Sequence, residues 1–263
     1  MSIFVHKNLP YYTGPDSTPR HTLDLYLPEG EYPVLIFVHG GGWQVGGKDA
    51  YTHVGETFAH NGIGTAVINY RLSPHVMHPE HACDVSRAFS WIYTTIEKYR
   101  GRKDSIYLAG HSSGAHLSAL VALDEKYLCH TSLVKGVICI SGIYDITSMV
   151  NTPWGRSFIH TAFGENPTTW NEASPISHVK ESIVPFLIVT AEKDFDPIKK
   201  QAKTFSNLLT NATFYETPKK NHLTIVSSIS KKDATAKRIC EFVRNTQHQQ
   251  TAHNYIQDSV DKS

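Results

Sequence analysis

The chain has 263 residues, of which 40% are hydrophobic and 19% charged, with 25 Lys and Arg against 24 Asp and Glu and a formal net charge of +1. This balance, with no basic run longer than pairs such as Lys199-Lys200 and Lys219-Lys220, argues against a nucleic-acid or anionic-membrane partner. No apolar run approaches the ~18 residues of a membrane span, whereas the length is ample for one α/β domain with a formed pocket.

Residues 1–10 lack a basic stretch followed by an apolar one, so no secretory leader is expected. Residues 21–27 alternate in polarity and stop at Pro28, which predicts a half-exposed antiparallel edge strand. Apolar, β-branched runs follow at 33–38, 64–69, 105–109, 134–140 and 184–190. Because nearly every position in them is apolar, both faces must be covered, which predicts a mostly parallel central sheet with helices on each side. Helical spacing is clearest at 79–99, 113–126, 197–210 and 232–246; in the first, Ala82, Val85, Phe89, Ile92 and Ile96 recur at threes and fours. Residues 147–178, rich in Thr, Asn, Trp and Pro, read as a partial lid passing over the sheet. Residues 246–263 are polar and read as a loosely held tail. With no linker or repeat, one domain over 1–263 is expected. Cys83, Cys129, Cys139 and Cys240 are scattered without a Cys-x-x-Cys spacing, which predicts free thiols and a cytoplasmic location.

Chemistry concentrates at three places. Gly110-His111-Ser112-Ser113-Gly114 joins a predicted strand to a predicted helix. A sharp turn there forces the serine into a strained backbone, needs small neighbours, and exposes the hydroxyl with a helix N-terminus behind it. Ser112 is therefore the expected nucleophile. His39-Gly40-Gly41-Gly42-Trp43 follows the strand at 33–38. Consecutive glycines let backbone N–H groups converge on one point, so Gly41 and Gly42, with the Ser113 N–H, are expected to form an oxyanion hole. His39 is expected to brace that loop. A serine also needs a base and an orienting acid. The acid is assigned to Asp194, just past the strand at 184–190. Asp196 is read as a helix cap, and Glu192 is an alternative nearer the strand. His222, after a strand-like stretch at 212–216, is the expected base, while His111 and His116 are read as neutral structural imidazoles.

Two other patterns point elsewhere. Gly42-x-x-x-x-Gly47-Lys48 imitates a phosphate-binding loop, but Asp49 stands where Ser or Thr would hold Mg²⁺. His75, His78 and His81 recur at threes, yet Pro79 interrupts them and no Cys or carboxylate completes a known ligand set. No metal and no cofactor are expected.

From about residue 20 to 232 the chain resembles the α/β-hydrolase superfamily. Within it the resemblance is to the branch of hormone-sensitive-lipase-like carboxylesterases, feruloyl and acetyl-xylan esterases, and arylformamidases. The resemblance rests on Asp24-Leu25-Tyr26-Leu27-Pro28, the glycine loop ending in Trp43, Tyr70-Arg71-Leu72-Ser73-Pro74, the Ser112 motif, Ser141-Gly142-Ile143-Tyr144-Asp145 and Ala173-Ser174-Pro175. It implies the α/β-hydrolase fold with a minimal cap and a triad of Ser112, Asp194 and His222. Arg71 and Asp84 are expected to tie loops together, and Asn221 stands where relatives often have Asp or Gly. Trp43, Tyr144, Trp154, Phe195 and Leu223 are the candidate pocket wall. The expected activity is hydrolysis of small-molecule esters with short acyl or aryl groups. Arylformamidase action on an N-formylkynurenine-type amide is the alternative, and a ligand-binding relative without catalysis is a third. A homodimer is left open.

Overall fold

A computed structural model describes residues 2–128, 131–152, 155–179 and 184–260. Eight strands form one sheet: β1 (Phe4–Pro10), β2 (Thr22–Leu27), β3 (Tyr32–Val38), β4 (Gly64–Ile68), β5 (Gly101–His111), β6 (Val134–Ile140), β7 (Phe186–Lys193) and β8 (Ala212–Asn221). Their spatial order is β1-β2-β4-β3-β5-β6-β7-β8. β2 pairs antiparallel with both β1 and β4, and every pairing from β4 to β8 is parallel. The helices are α1 (Thr52–Ala59), α2 (Glu80–Thr95), α3 (Ser113–Leu123), α4 (Ile146–Met149), α5 (Gly155–Phe163), α6 (Pro167–Glu172), α7 (Asp196–Leu208), α8 (Thr224–Ser227) and α9 (Ala234–Val260).

The period of two in an extended chain sorts the core into two layers. Along β3, Val34, Ile36 and Val38 face one layer with Phe89 of α2, Leu117 of α3 and Phe205 of α7. Leu35 and Phe37 face the other layer with Val54 and Phe58 of α1 and Ile239 and Val243 of α9. Each such side chain, fully buried, contributes about 1.5–3 kcal/mol. Burial on both sides explains why these strands read as unbroken apolar runs.

One expectation is corrected by the sheet. β2 is not an edge strand: β1 covers it, and all its residues after Thr22 are buried. Its polar member, Asp24, misled the reading, because the buried carboxylate is paired with Lys48 and Lys7 at 2.9 Å each. That pairing also commits Lys48, the lysine of the imitation phosphate loop. The stretch from 246, expected as a polar tail, continues α9 as far as Val260. Within α9, Ala236, Ile239, Cys240 and Val243 pack into the second core layer.

Arg71 and Asp84 tie loops together as expected. Asp84 accepts from the Arg71 backbone N–H and guanidinium at 2.8–3.0 Å and lies 3.0 Å from His21 Nε2. Truncating one partner of such a buried pair typically costs about 3–5 kcal/mol. No helix among the described residues is long and apolar enough to cross a membrane.

Candidate active site

The parallel strands end on one side of the sheet, and five of them deliver the site: β3, β5, β6, β7 and β8. β5 ends at His111 and α3 begins at Ser113, leaving Ser112 as the whole turn. Its φ of 53° and ψ of −118° fall outside the regions an L residue prefers. The Ser112 N–H donates to Ile140 O at 2.9 Å, which ties the turn to β6. A Cβ on Gly110 would lie 2.3 Å from the Gly114 carbonyl group, and one on Gly114 would lie 2.1 Å from Val38 O. The two glycines are required because the chain passes itself and β3 without room for a methyl group.

His222 closes the β8–α8 connection. Its Nδ1 lies 2.8 Å from Asp194 Oδ1, and its Nε2 lies 3.1 Å from Ser112 Oγ. A carboxylate only accepts, so Nδ1 donates and Nε2 is left to accept from the serine hydroxyl. Asn221 holds the turn: its Oδ1 accepts from Leu223 N–H, Thr224 N–H and the Thr224 hydroxyl at 2.9–3.1 Å. The His222 carbonyl accepts from His111 Nε2–H at 2.8 Å. Burial together with the neighbouring His222 pushes the His111 imidazole down to about 3, so it stays neutral.

Asp194 sits just beyond β7 with its side chain fully buried. Burial alone would raise its carboxyl, but hydrogen bonds from His222, Ser141 and the Phe195 N–H outweigh that and hold it below the usual carboxylate range. Ser141, at the end of β6, was given no role in the sequence reading. Its hydroxyl donates to Asp194 Oδ2. Of the acids weighed against Asp194, Glu192 instead accepts the Lys219 backbone N–H at 2.7 Å. Asp196 lies in the first turn of α7, and the cap position belongs to Phe195.

A cavity of about 460 Å³ opens over Ser112. Gly40, Gly41 and Gly42 line it on one side. Gly41 and Gly42 have φ of +132° and +58°, conformations that leave the loop tightly folded on Val45 and under Phe158. Ser113 is buried at the N-terminus of α3, where the first-turn N–H groups have no helical acceptor. From the stretch expected to form a partial lid, Met149, Gly155, Phe158 and Ile159 line the cavity.

The expected wall residues separate. Phe195 and Leu223 line the mouth, 51% and 69% exposed. Trp43 contributes to the lining but is otherwise core, its Nε1–H donating to His116 Nδ1 at 3.2 Å. Tyr144 is not in the wall. It turns into the core and stacks on Phe205 at 4.3 Å, because the chain dives under α7 after Gly142. Trp154 lies outside the described residues. Val45, Tyr51, Ile143, Met149, Phe158, Ile159 and Ile198 also line the cavity and carry no sequence signal of it. The histidine triplet disperses: His75 is exposed, His78 packs on Phe163, and His81 lies 3.0 Å from the Ser73 hydroxyl. Among the described residues no cluster of three or more His, Cys, Asp or Glu is placed to hold a metal. Cys83, Cys139 and Cys240 are free thiols, and Cys129 is outside the described residues.

A hydroxyl, an imidazole and a buried carboxylate linked in this order can make the hydroxyl oxygen a nucleophile at neutral pH. The BD-FAE family model matches residues 23–209, which include the glycine loop, Ser112 and Asp194. The chain belongs to the BD-FAE family. This BD-FAE chain is 30% identical over 261 residues to Esterase LipQ of Mycobacterium tuberculosis, covering 90% of itself and 61% of LipQ. It is 24% identical over 231 residues to a kynurenine formamidase of Salmo salar, covering 84% of itself and 76% of that protein. It spans about half to three fifths of the length of the first curated relatives it matches. The solved structure of Esterase B from Lactobacillus Rhamnosis superposes with a TM-score of 0.81 at 17% identity, over 97% of this BD-FAE chain and 89% of that one. The shared fold is that of the α/β-hydrolases.

Proposed function

We propose that this protein is a serine carboxylesterase acting on small uncharged esters. The observation that carries the reading is the line from Asp194 Oδ1 through the His222 ring to Ser112 Oγ, with links of 2.8 and 3.1 Å, at the floor of an apolar cavity. Membership in the BD-FAE family and likeness to an esterase support it.

In this reading His222 Nε2 takes the Ser112 proton as Oγ attacks the ester carbonyl carbon. Asp194 holds the ring with Nδ1 protonated and stabilises the imidazolium that forms. The carbonyl oxygen gathers charge facing the N–H groups of Gly41, Gly42 and Ser113. His222 then protonates the departing alkoxide, leaving an acyl-enzyme on Ser112. In the second step it takes a proton from water as the water oxygen attacks the acyl carbon, and it returns that proton to Ser112 Oγ as the acyl–oxygen bond breaks and the acid leaves.

Ester is favoured over formamide by charge. An N-formylkynurenine-type substrate carries an ammonium and a carboxylate. Among the described lining residues there is no Lys, Arg, Asp or Glu to pair with either. Burying an unpaired charge against Phe158, Ile159 and Ile198 is strongly unfavourable. The test is turnover of p-nitrophenyl butyrate and of N-formylkynurenine by wild type and Ser112→Ala, with fluorophosphonate labelling of each. We expect wild type to prefer the ester and to label at Ser112. Ser112→Ala should lose activity by about a millionfold, the scale seen when a triad serine is removed. Turnover that survives in Ser112→Ala would reject the nucleophile, and faster turnover of the formamide would reject the substrate class.

A further inference from the structure

The site described above leaves one buried assembly without a stated purpose: Arg20, His39 and the Gly40 carbonyl. Arg20 projects from the segment before β2, half-buried, and its guanidinium reaches three acceptors. Its Nε–H donates to Tyr70 O at 2.9 Å, its Nη1–H to Gly46 O at 3.0 Å, and its Nη2–H to His39 Nε2 at 3.0 Å. An arginine has no lone pair to offer. His39 Nε2 must therefore be the acceptor, and the ring proton must sit on Nδ1. That Nδ1–H donates to Gly40 O at 2.8 Å. Burial, with the Arg20 charge beside it, pushes the His39 imidazole down to about 3, so the ring remains neutral.

The peptide unit joining Gly40 to Gly41 is planar and trans, so its C=O and N–H point in opposite directions. Fixing the Gly40 carbonyl on His39 fixes the Gly41 N–H on the opposite side. Gly40 packs against Ser112: a Cβ on Gly40 would lie 3.3 Å from Ser112 Cβ. Gly46 packs on the carbonyl side of this unit, so closely that an added Cβ would lie 2.5 Å from Gly40 O. The residue that holds Gly46 there, through its carbonyl, is again Arg20.

We propose that Arg20 is a positioning residue for the oxyanion hole, locking the His39 tautomer so that the Gly40 carbonyl is pinned and the Gly41 N–H faces the nucleophile. Arg20 touches neither substrate nor reacting atoms. Without it, His39 is free to carry its proton on Nε2, where Nδ1 then presents a lone pair to the Gly40 oxygen and repels it. The peptide unit loses its restraint and the donor its aim. An oxyanion donor is felt most in the transition state, so the loss falls on kcat and not on KM. The inference rests on the ester-hydrolase reading.

The test compares wild type, Arg20→Met, Arg20→Lys, His39→Asn and the Arg20→Met/His39→Asn pair on p-nitrophenyl butyrate. It also follows the rate of Ser112 labelling by a fluorophosphonate. We expect Arg20→Met to lower kcat roughly ten- to hundredfold, short of the 10²–10³ lost with an oxyanion donor itself. KM should stay within about twofold, labelling should slow in parallel, and Arg20→Lys should recover part of the rate. In the double variant the losses should not add, because both substitutions break one chain. Nitrogen-15 spectra of the imidazoles should show His39 protonated on Nδ1 in wild type and a tautomer mixture in Arg20→Met. Unchanged kcat in a folded Arg20→Met protein, a change confined to KM, or fully additive losses would each overturn the proposal. If Arg20→Met does not fold, the same criteria apply to Arg20→Lys. A wild type that neither turns over the ester nor labels at Ser112 would overturn the hydrolase reading first. A wild type that does both while the Arg20 variants match it would overturn this inference alone.

Discussion

Asp194 has two carboxylate oxygens, and only one of them meets His222. The other accepts from the Ser141 hydroxyl and, at 3.4 Å, from the Ala191 N–H. Hydrogen bonds to charged groups contribute about 1.5–3 kcal/mol. Removing the Ser141 hydroxyl leaves a buried oxygen with one long bond. We expect Ser141→Ala to lower kcat about tenfold with KM nearly unchanged, and to lower the denaturation midpoint slightly. Steady-state kinetics and a urea titration check both, and unchanged kcat would mean that Asp194 needs no second anchor. At this scale the sequence was uneven. Ser112, Asp194 and His222 stood out because their chemical types and order are rare in combination. Ser141 stood in a recognised motif at a strand end, yet a serine there has many ordinary uses. Tyr144 and Phe195 looked equivalent as aromatic residues near the site. One stacks in the core and the other stands half-exposed at the mouth, a difference decided by chain direction after Gly142 and Asp194.

Strand ends bring the candidate site residues together, and α5 contributes to the cavity above them. Phe158 of α5 lies across the glycine loop: a Cβ on Gly42 would fall 2.5 Å from its ring. The Gln44 side-chain amide donates to the Phe158 carbonyl at 3.3 Å, joining loop and α5 a second time. The ring thus lines the cavity directly beside the glycine loop. Phe158→Ala should shift the preferred p-nitrophenyl ester towards longer acyl chains, read as kcat/KM from acetate to decanoate. Because Phe158 is 39% exposed, the stability loss should be below the about 3–5 kcal/mol of a fully buried Phe→Ala change. An unchanged chain-length profile would place the acyl group elsewhere. The parallel strands and main helices were legible because double burial gives unbroken apolar runs and α2 has a regular stripe. β1 was not, since its outer residues Phe4 and Val5 are exposed and carry no alternation against a core. Missing β1 made β2 look like an edge. Between β6 and β7 the short helices α4 to α6 offer too few turns for a periodicity to show.

The whole molecule stores an unusual amount of neutral imidazole. Burial pushes His39, His111 and His116 down to about 3 and His78 and His81 to about 4. In the unfolded chain each titrates near 6.5. Between those values the unfolded chain binds protons that the folded one refuses, so stability is full above about pH 6.5 and falls as pH drops. Each such group contributes a slope of about 1.4 kcal/mol per pH unit, and the whole of a typical domain's stability is only about 5–15 kcal/mol. Asp84 and Asp194, both held below the usual carboxylate range, add their loss only further down, below about pH 4. We expect the urea midpoint to fall steeply between pH 6.5 and 5, ahead of carboxylate protonation. A flat midpoint across that interval would show that these rings reach solvent in the folded state.

The sheet order has a consequence in time. Nucleophile, glycine loop and carboxylate are all carried by strands that leave the ribosome before β8, and His222 follows Ser112 by 110 residues. At about 5–20 residues per second that interval is roughly 5–20 s. Throughout it the nascent chain holds Ser112 without the imidazole that the proposed mechanism uses as base. On the proposed reading the last strand translated is the one that brings the base, and a chain halted short of β8 is expected to be inactive.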